Sequence, residues 1–352
     1  ALAACGTSPS ASPSPAATQD NGLGSASLTG AGSTFVDPLF EEAFYQYGVK
    51  YSSVSVNYQP VGSGAGITQF EAGTVDFGAT DVPMTETDIA AHGGDASLVE
   101  IPDTLGVASI AYNEPSLPKF QIDGPTLAKI YLGTVKTWND PAIAALNPGV
   151  TLPSDTIAVQ HRSDSSGTTY AFTDYLAKVS ADWKSGPGVS KAPAWPAGVG
   201  TGDTGNAGVG QAIKNTPGSI GYVELAYIVP NHLQQAWVMN ANGKFVQGSQ
   251  AGAAAAAAQA TNVNPTTNFS ITNEPGDASY PITTFSWVVV RTTQSDSGKG
   301  LALVSLIHWL VTDGQTYADS LQYAPLPAAV QTLALNDLKT VKDSTGKVLL
   351  PS

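Results

Sequence analysis

The chain has 352 residues, 42% hydrophobic and 12% charged, with 36 glycines, 24 prolines and a formal net charge of −13. That length suits about two globular domains, and the acidic balance argues against nucleic acid or anionic lipid as the main partner. Cys5 is the single cysteine, so no intrachain disulfide forms; there is no HExxH pattern, no Cys/His cluster and no apolar run long enough to span a bilayer. An anion site in such a chain must rest on local dipoles and a well-placed arginine, because the global field repels the ligand.

Leu2-Ala3-Ala4-Cys5 matches a bacterial lipobox, in which an aliphatic residue and two small ones precede the cysteine. The match implies a lipid attached at Cys5 after cleavage; the alternative is a lone cysteine in a frayed terminus. Gly6 to Ser27 is rich in Ser, Pro, Ala and Thr without apolar periodicity, so residues 1–27 read as an anchor remnant and flexible tether.

Leu28-Thr29 reads as a short strand running into GAGSTF, Gly30 to Phe35. Phe35, Leu39, Phe40, Ala43, Phe44 and Tyr47 then recur at helical spacing, with Pro38 in the first turn and Ser33 or Thr34 as N-cap. Val54 to Tyr58 alternates as a strand and leads to GSGAG, Gly62 to Gly66, followed by a helix over Ile67 to Ala72. Val75 to Ala79 is a third strand, ending at Thr80-Asp81, with a helix expected over Thr85 to Ala91. Strand, Gly-rich turn, helix, strand is the rhythm of a parallel α/β sheet, whose ligands bind beyond the carboxyl ends of the strands.

Leu98 to Asn113 is extended and long enough to cross between domains. Helices follow over Thr126 to Tyr131 and Pro141 to Leu146, then a buried strand, Ile157 to Gln160, running into HRSDSSGTT, His161 to Thr169. Ser166 is the expected N-cap of a helix carrying Tyr170, Phe172, Tyr175 and Leu176. Gly186 to Gly210 reads as a glycine-rich loop, Val209 to Lys214 as a helix, Ile220 to Val223 as a strand, and Leu225 to Ile228 as the start of another helix. Ala253 to Ala260 favours helix, Pro281 to Arg291 is a second extended crossing, and two helices near Leu301 to Thr312 and Ala328 to Leu338 end the chain. Two crossings imply two α/β domains, residues 28–110 with 285–352 and residues 111–284.

GAGSTF, GSGAG and HRSDSSGTT all place glycine and hydroxyl residues where a strand hands over to a helix. Free N–H groups and the helix dipole favour an anion there. GSGAG is not a P-loop, since no Lys-Ser/Thr follows, and alone it is an ordinary turn. Arg162 with Asp164 two residues on is either a surface pair or an arginine aimed at an anion. Asp81 alone reads as a turn or capping residue. Taken together, the loops are expected to meet on one small oxyanion.

GAGSTF, VNYQPVGSGAG, VDFGATDVP, HRSDSSGTTYAFTDYLAKV and PGSIGYVELAY, in this order, resemble the phosphate-binding protein of bacterial phosphate-specific ABC transporters, as do IYLGTVKTWNDPAIAALNPG and YPITTFSW. The resemblance runs from about Leu28 to the C-terminus. It implies an α/β, two-domain periplasmic-binding-protein fold of type II, with mixed sheets flanked by helices and one phosphate in the interdomain cleft. It also implies backbone N–H donors at Ser33, Thr34 and Phe35, the Thr34 hydroxyl, and Ser63. Asp81 would accept the phosphate proton. Arg162, supported by Asp164, and Ser166, Gly167 and Thr168 would come from the other domain. Ser33 and Ser165 stand where other members carry Ala or Gly, and His161 precedes the arginine.

The expected function is high-affinity phosphate capture by a monomer tethered outside the membrane, with delivery to the transporter's permease and no cofactor, metal or catalytic residue. Other oxyanions, sulfate or arsenate, are one alternative. A phosphatase using Ser63 or Ser166 as nucleophile is another, but it needs an activating base or metal that no motif supplies.

Overall fold

The computed structural model describes residues 23–84, 89–90, 94, 97–260 and 269–350. Cys5 and nearly all of the tether lie outside them, as does most of the helix expected over Thr85 to Ala91. In chain order the elements are β1 (Ala26–Gly32), α1 (Asp37–Lys50), β2 (Val54–Gln59), α2 (Ser63–Glu71), β3 (Phe77–Thr80) and β4 (Leu98–Asn113). Next come β5 (Gln121–Ile122), α3 (Gly124–Tyr131), α4 (Pro141–Leu146), β6 (Ala158–Arg162), α5 (Gly167–Val179), α6 (Ala181–Ser185), β7 (Thr201–Asp203), α7 (Gly205–Asn215) and β8 (Ser219–Glu224). The remainder is α8 (Ile228–Asn231), β9 (Gln234–Gln235), β10 (Trp237–Met239), β11 (Phe245–Val246), α9 (Gln250–Ala257), β12 (Thr283–Arg291), β13 (Thr293–Gln294), α10 (Ser297–Val311), α11 (Ala328–Leu338) and β14 (Lys342–Asp343).

The principal sheet runs β2-β1-β3-β12-β4-β8-β6-β7, with β9 also on β4. It is mixed. β1 pairs parallel with β2 and β3, and β6 pairs parallel with β7 and β8, while β12 and β4 run antiparallel to their neighbours. Mixed sheets are as expected: the parallel rhythm of the local pattern holds at the two ends, and the long strands β12 and β4 insert antiparallel between them.

β4 is the strand that joins the two ends. Leu98 to Val107 lies along β12, and Ala108 to Asn113 lies along β8. The change of partner falls between Val107 and Ala108, where Ala108 N donates to Ile282 O at 2.9 Å. β12 pairs with β3 and with β4 from Thr283 onward. Pro102 explains a local irregularity. It has no N–H to give the ladder, and the β12–β4 register slips between Ser286 and Trp287, leaving Asp103 opposite no partner.

The helices pack by the apolar faces the sequence announces. α1 buries Leu39, Phe40, Ala43, Phe44 and Tyr47. α10 lies on β1 and β4, and α11 on β4, so the last helices cover strands built from the first third of the chain. A small satellite core of Ala31, Ile67, Phe70, Val75, Met84, Ile89, Leu98 and Val289 lies beneath α2.

Several local expectations are corrected. β1 continues through Gly30-Ala31-Gly32, so the first glycines belong to the strand. The N-cap of α1 is Val36, with no side-chain capping bond, because the Ser33 and Thr34 hydroxyls are engaged elsewhere. GSGAG is the cap and first turn of α2: a Cβ on Gly66 would lie 2.2 Å from Gly32 Cα, so glycine there lets the helix touch the strand. In the stretch read as a loop over Gly186 to Gly210, β7 forms and α7 begins at Gly205.

Candidate functional site

The site lies where the carboxyl ends of β1, β3 and β6 meet the first turns of α2, α5 and α7. Ser33, Thr34, Ser63, Asp81, Arg162, Ser166 and Thr168 are all buried, none more than 7% exposed. Burial of this many polar groups is costly unless each is paired.

On the β1–β3 side, Ser33 Oγ donates to Asp81 Oδ1 at 2.5 Å and accepts from Phe35 N at 2.9 Å. Ser63 Oγ lies 3.5 Å from Asp81 Oδ2 and accepts from Gly167 N at 3.2 Å, which joins this cluster to the first turn of α5. The approach is close: a Cβ on Gly167 would sit 2.5 Å from Asp81 Oδ2. Burial lifts the Asp81 carboxyl to about 6, against the lowering pull of the Ser33 hydrogen bond and of Arg162. Asp103, behind it on β4, is pushed well above the usual carboxylate range by burial and then by the Asp81 charge.

The Ser33-Thr34-Phe35 loop has its carbonyls tied off one by one. Tyr58 Oη donates to Ser33 O at 2.8 Å, Tyr227 Oη to Thr34 O at 2.7 Å and Tyr323 Oη to Phe35 O. The carbonyls are thereby held by hydroxyls from three distant elements and the loop is immobilised. The Phe35 ring itself is core, edge-on to Tyr323 with ring centroids 6.2 Å apart.

On the β6 side, Arg162 is 2% exposed. Its Nε donates to Asp164 Oδ1 at 2.7 Å and its Nη2 to Asp164 Oδ2 at 2.5 Å, a fork that fixes the guanidinium plane. Asp164 Oδ1 also accepts from Gly205 N at 3.2 Å. Burial would raise the Asp164 carboxyl, but the Arg162 bonds and charge outweigh it and hold it below its ordinary value. Arg162 Nη1 is buried and has no hydrogen-bond partner. Ser166 Oγ caps α5 through Thr169 N at 3.1 Å, as expected. His161 stacks on Trp195 with centroids 4.4 Å apart and places Nδ1 3.0 Å from Arg162 O, away from either serine.

The residues singled out from the sequence are therefore brought together, apart from Cys5, which lies outside the described residues. Ser33, Ser63, Asp81 and Gly167 form one continuous cluster. Gly62 brings Asp164 into the same neighbourhood, since a Cβ there would lie 2.5 Å from Asp164 Oδ2. Across the same gap, Gly64 N donates to Ser165 O at 3.0 Å.

Sequence reasoning missed Asn206 and the three tyrosines. Asn206 N and Nδ2 both donate to Thr34 Oγ1, at 3.2 and 3.0 Å. A local signal exists: Thr204-Gly205-Asn206 is another glycine and polar residue at a helix start, inside the stretch that reads as a glycine-rich loop. The tyrosines carry no local signal.

Chemically, the arrangement offers one buried guanidinium nitrogen without a partner, several hydroxyls, and one carboxylate facing them. That suits a small oxyanion that brings a proton of its own. A family model described as "PBP superfamily domain" matches residues 10–312. The phosphate-binding protein PstS of Pasteurella multocida is 40% identical over 326 residues, covering 92% of this chain and 93% of that protein. The PstS of Xylella fastidiosa is 39% identical over 308 residues, covering 86% and 82%. A phosphate-bound periplasmic phosphate-binding protein, PfluDING, superposes with a TM-score of 0.74 at 20% identity, covering 92% of this chain and 96% of its own. A phosphate-bound putative phosphate ABC transporter substrate-binding protein from Clostridium perfringens superposes with a TM-score of 0.61 at 17% identity, covering 86% and 100%. At such identities the structures speak to fold alone, and they share the curled, mixed α/β sheet flanked by helices. The extent of the sequence relationship places this chain in the family of the phosphate-binding protein PstS, within the PBP superfamily.

Proposed function

We propose that this protein captures inorganic phosphate outside the membrane and delivers it to the permease of an ABC importer. The observation that carries the reading is Arg162. A buried guanidinium, held in a fork by Asp164, keeps Nη1 and both of its N–H groups unpaired. Such a group calls for an anionic oxygen. In the proposed complex, Arg162, Ser63, the Thr34 and Thr168 hydroxyls and the N–H groups of Thr34, Phe35, Gly167 and Thr168 donate to phosphate oxygens, and Asp81 accepts the phosphate proton; Ser33 N, expected as a donor, and Ser166 N are instead given to Ala79 O and Lys191 O, each at 2.9 Å. In the structure Phe35 N and Gly167 N already bond to Ser33 Oγ and Ser63 Oγ, so on binding they either share or exchange those partners.

No covalent step is proposed. Ser63 and Ser166 are engaged with backbone N–H groups, and among the described residues neither has a histidine within hydrogen-bond reach. The chain divides into residues 28–110 with 285–352 and residues 111–284, hinged where β4 changes partner, and ligand bound across the cleft favours the closed form. Titration calorimetry with phosphate, sulfate and arsenate tests the reading, with scattering curves taken on the same samples. Tight phosphate binding with a smaller radius of gyration is expected. Sulfate binding as tightly as phosphate would replace the phosphate assignment, and an unchanged curve would remove the hinge.

The lipobox motif supports a membrane attachment at Cys5, through more than one acyl chain, since a single chain anchors only marginally. The precursor is expected to fractionate with membranes and its Cys5→Ser form to be released. Equal partitioning would remove the anchor.

A further inference from the structure

Asn206 sits in the first turn of α7, fully buried, with every polar group of its side chain committed. Its Oδ1 accepts from Glu224 N at 3.0 Å. That bond settles the amide orientation, because a backbone N–H needs an acceptor opposite it, and so Nδ2 faces the cleft. Nδ2 donates to Thr34 Oγ1 at 3.0 Å and to Thr168 Oγ1 at 3.1 Å, and Asn206 N donates to Thr34 Oγ1 at 3.2 Å. Thr34 follows β1; Thr168 and Asn206 belong to α5 and α7 on the facing side.

A hydroxyl has one proton and two acceptor positions. Both acceptor positions of Thr34 Oγ1 are filled by Asn206. What remains is the O–H, so Thr34 can act only as a donor. Thr168 Oγ1 has one acceptor position filled and is biased the same way. Gly205, just before Asn206, has φ +71°, and a Cβ there would lie 3.4 Å from Thr34 Cγ2, so the chain passes close to Thr34 at this point.

We propose that Asn206 is a positioning residue for the bound anion: it commits the Thr34 and Thr168 hydroxyls to donate, and it latches the two faces of the cleft. This rests on the phosphate-receptor reading and extends it to the orientation of the ligand. An unprotonated oxygen is favoured at the two threonines, and a P–OH group at Thr34 would find no acceptor. The one proton of the ligand is thereby directed to Asp81, the carboxylate on the other side of the site. Asn206 thus selects which oxygen carries the proton without touching the ligand itself.

Wild-type protein is titrated with inorganic phosphate first; no binding there would remove the receptor reading itself. Asn206→Ala is expected to weaken phosphate binding roughly 10- to 100-fold, the scale of a lost buried donor pair, chiefly through faster dissociation in stopped-flow traces. In a Thr34→Val background the same change is expected to weaken binding only a few-fold further, because the hydroxyl it acts through is gone. Strictly additive losses, with phosphate still bound by the wild type, would overturn the inference and leave the receptor reading standing. Asn206→Asp, nearly the same shape, provides a second readout should the alanine variant fold poorly. Its carboxylate would accept the threonine protons and turn both hydroxyls from the ligand. Binding weaker than in the alanine variant, or in wild type if only the aspartate form folds, and weakening further from pH 6 to pH 8, is expected; wild-type affinity would overturn the proposal.

Discussion

Replacing Arg162 by methionine is expected to weaken phosphate binding by roughly a hundred- to a thousandfold, the range for removing one partner of a buried, hydrogen-bonded charge pair. Methionine keeps most of the length of the side chain and removes the charge. Two effects add. The ligand loses the charged donor offered by Nη1, and Asp164 is left half-buried without the fork that holds its carboxyl low. Arg162 is also the one buried lysine or arginine among the described residues, so nothing nearby replaces its charge. Asp164→Asn separates the two effects: the arginine remains but is less firmly held, and a smaller loss of affinity is expected. Thermal melts without ligand check that each variant is folded. A methionine variant that is folded and binds phosphate within a few-fold of wild type would show that the buried guanidinium serves the fold and not the ligand.

Replacing Asp81 by asparagine is expected to admit sulfate while phosphate still binds. A carboxylate beside an anion is repulsive unless the anion supplies a proton. Phosphate near neutral pH keeps at least one hydrogen and can give Asp81 a short, charge-assisted O–H···O bond; sulfate has none to give. Sites that reject a ligand by leaving a buried group unpaired discriminate by roughly 10⁴-fold or more. The introduced amide would offer an N–H to sulfate and a carbonyl to phosphate, so the ratio of affinities is expected to fall by most of that factor in competitive titrations. If the ratio stays where it was, Asp81 does not read the proton.

The same substitution has a consequence for the ligand-free protein. Burial raises Asp81 from 3.8 to about 6, so at neutral pH the folded state holds an ionised carboxylate that is better solvated in the unfolded state. A rise of that size corresponds to roughly 3 kcal/mol. The sign follows from proton binding. Between 3.8 and about 6 the folded state binds more protons than the unfolded state, so wild-type stability falls as the pH rises through that window. Asp81→Asn is therefore expected to raise the melting temperature above pH 6, with the gain fading as the pH drops toward 4. Equal melting temperatures at pH 7 would mean that Ser33 and Arg162 offset the burial in full.

Local pattern was enough for most elements and for picking out residues that the fold brings together. Apolar spacing placed α1, β2, α5 and the long β4, because helical and strand periodicities are imposed by the backbone itself. Glycine and hydroxyl residues at strand-to-helix junctions marked Ser33, Ser63 and Ser166, because free N–H groups at a helix start are a local property. Junctions could not be placed to the residue. Gly30 to Gly32 joined β1 through sheet pairing with β2 and β3, a decision taken outside the local window.

Only the tertiary structure decided how these parts are held. Tyr58, Tyr227 and Tyr323, from three separate parts of the chain, close on three consecutive carbonyls, and Asn206 reaches Thr34 across 172 positions of sequence. No short window carries such pairings, because each depends on where the sheet sets two distant segments side by side. The same holds for the mixed sheet. β12 is an ordinary apolar strand in sequence, and its antiparallel place between β3 and β4 follows from the chain returning to complete the first half. The candidate groups were thus legible because their chemistry is local. The arginine's free Nη1, the raised carboxyl of Asp81 and the donor-only state of Thr34 were not, because burial and hydrogen-bond saturation exist only after the chain has packed.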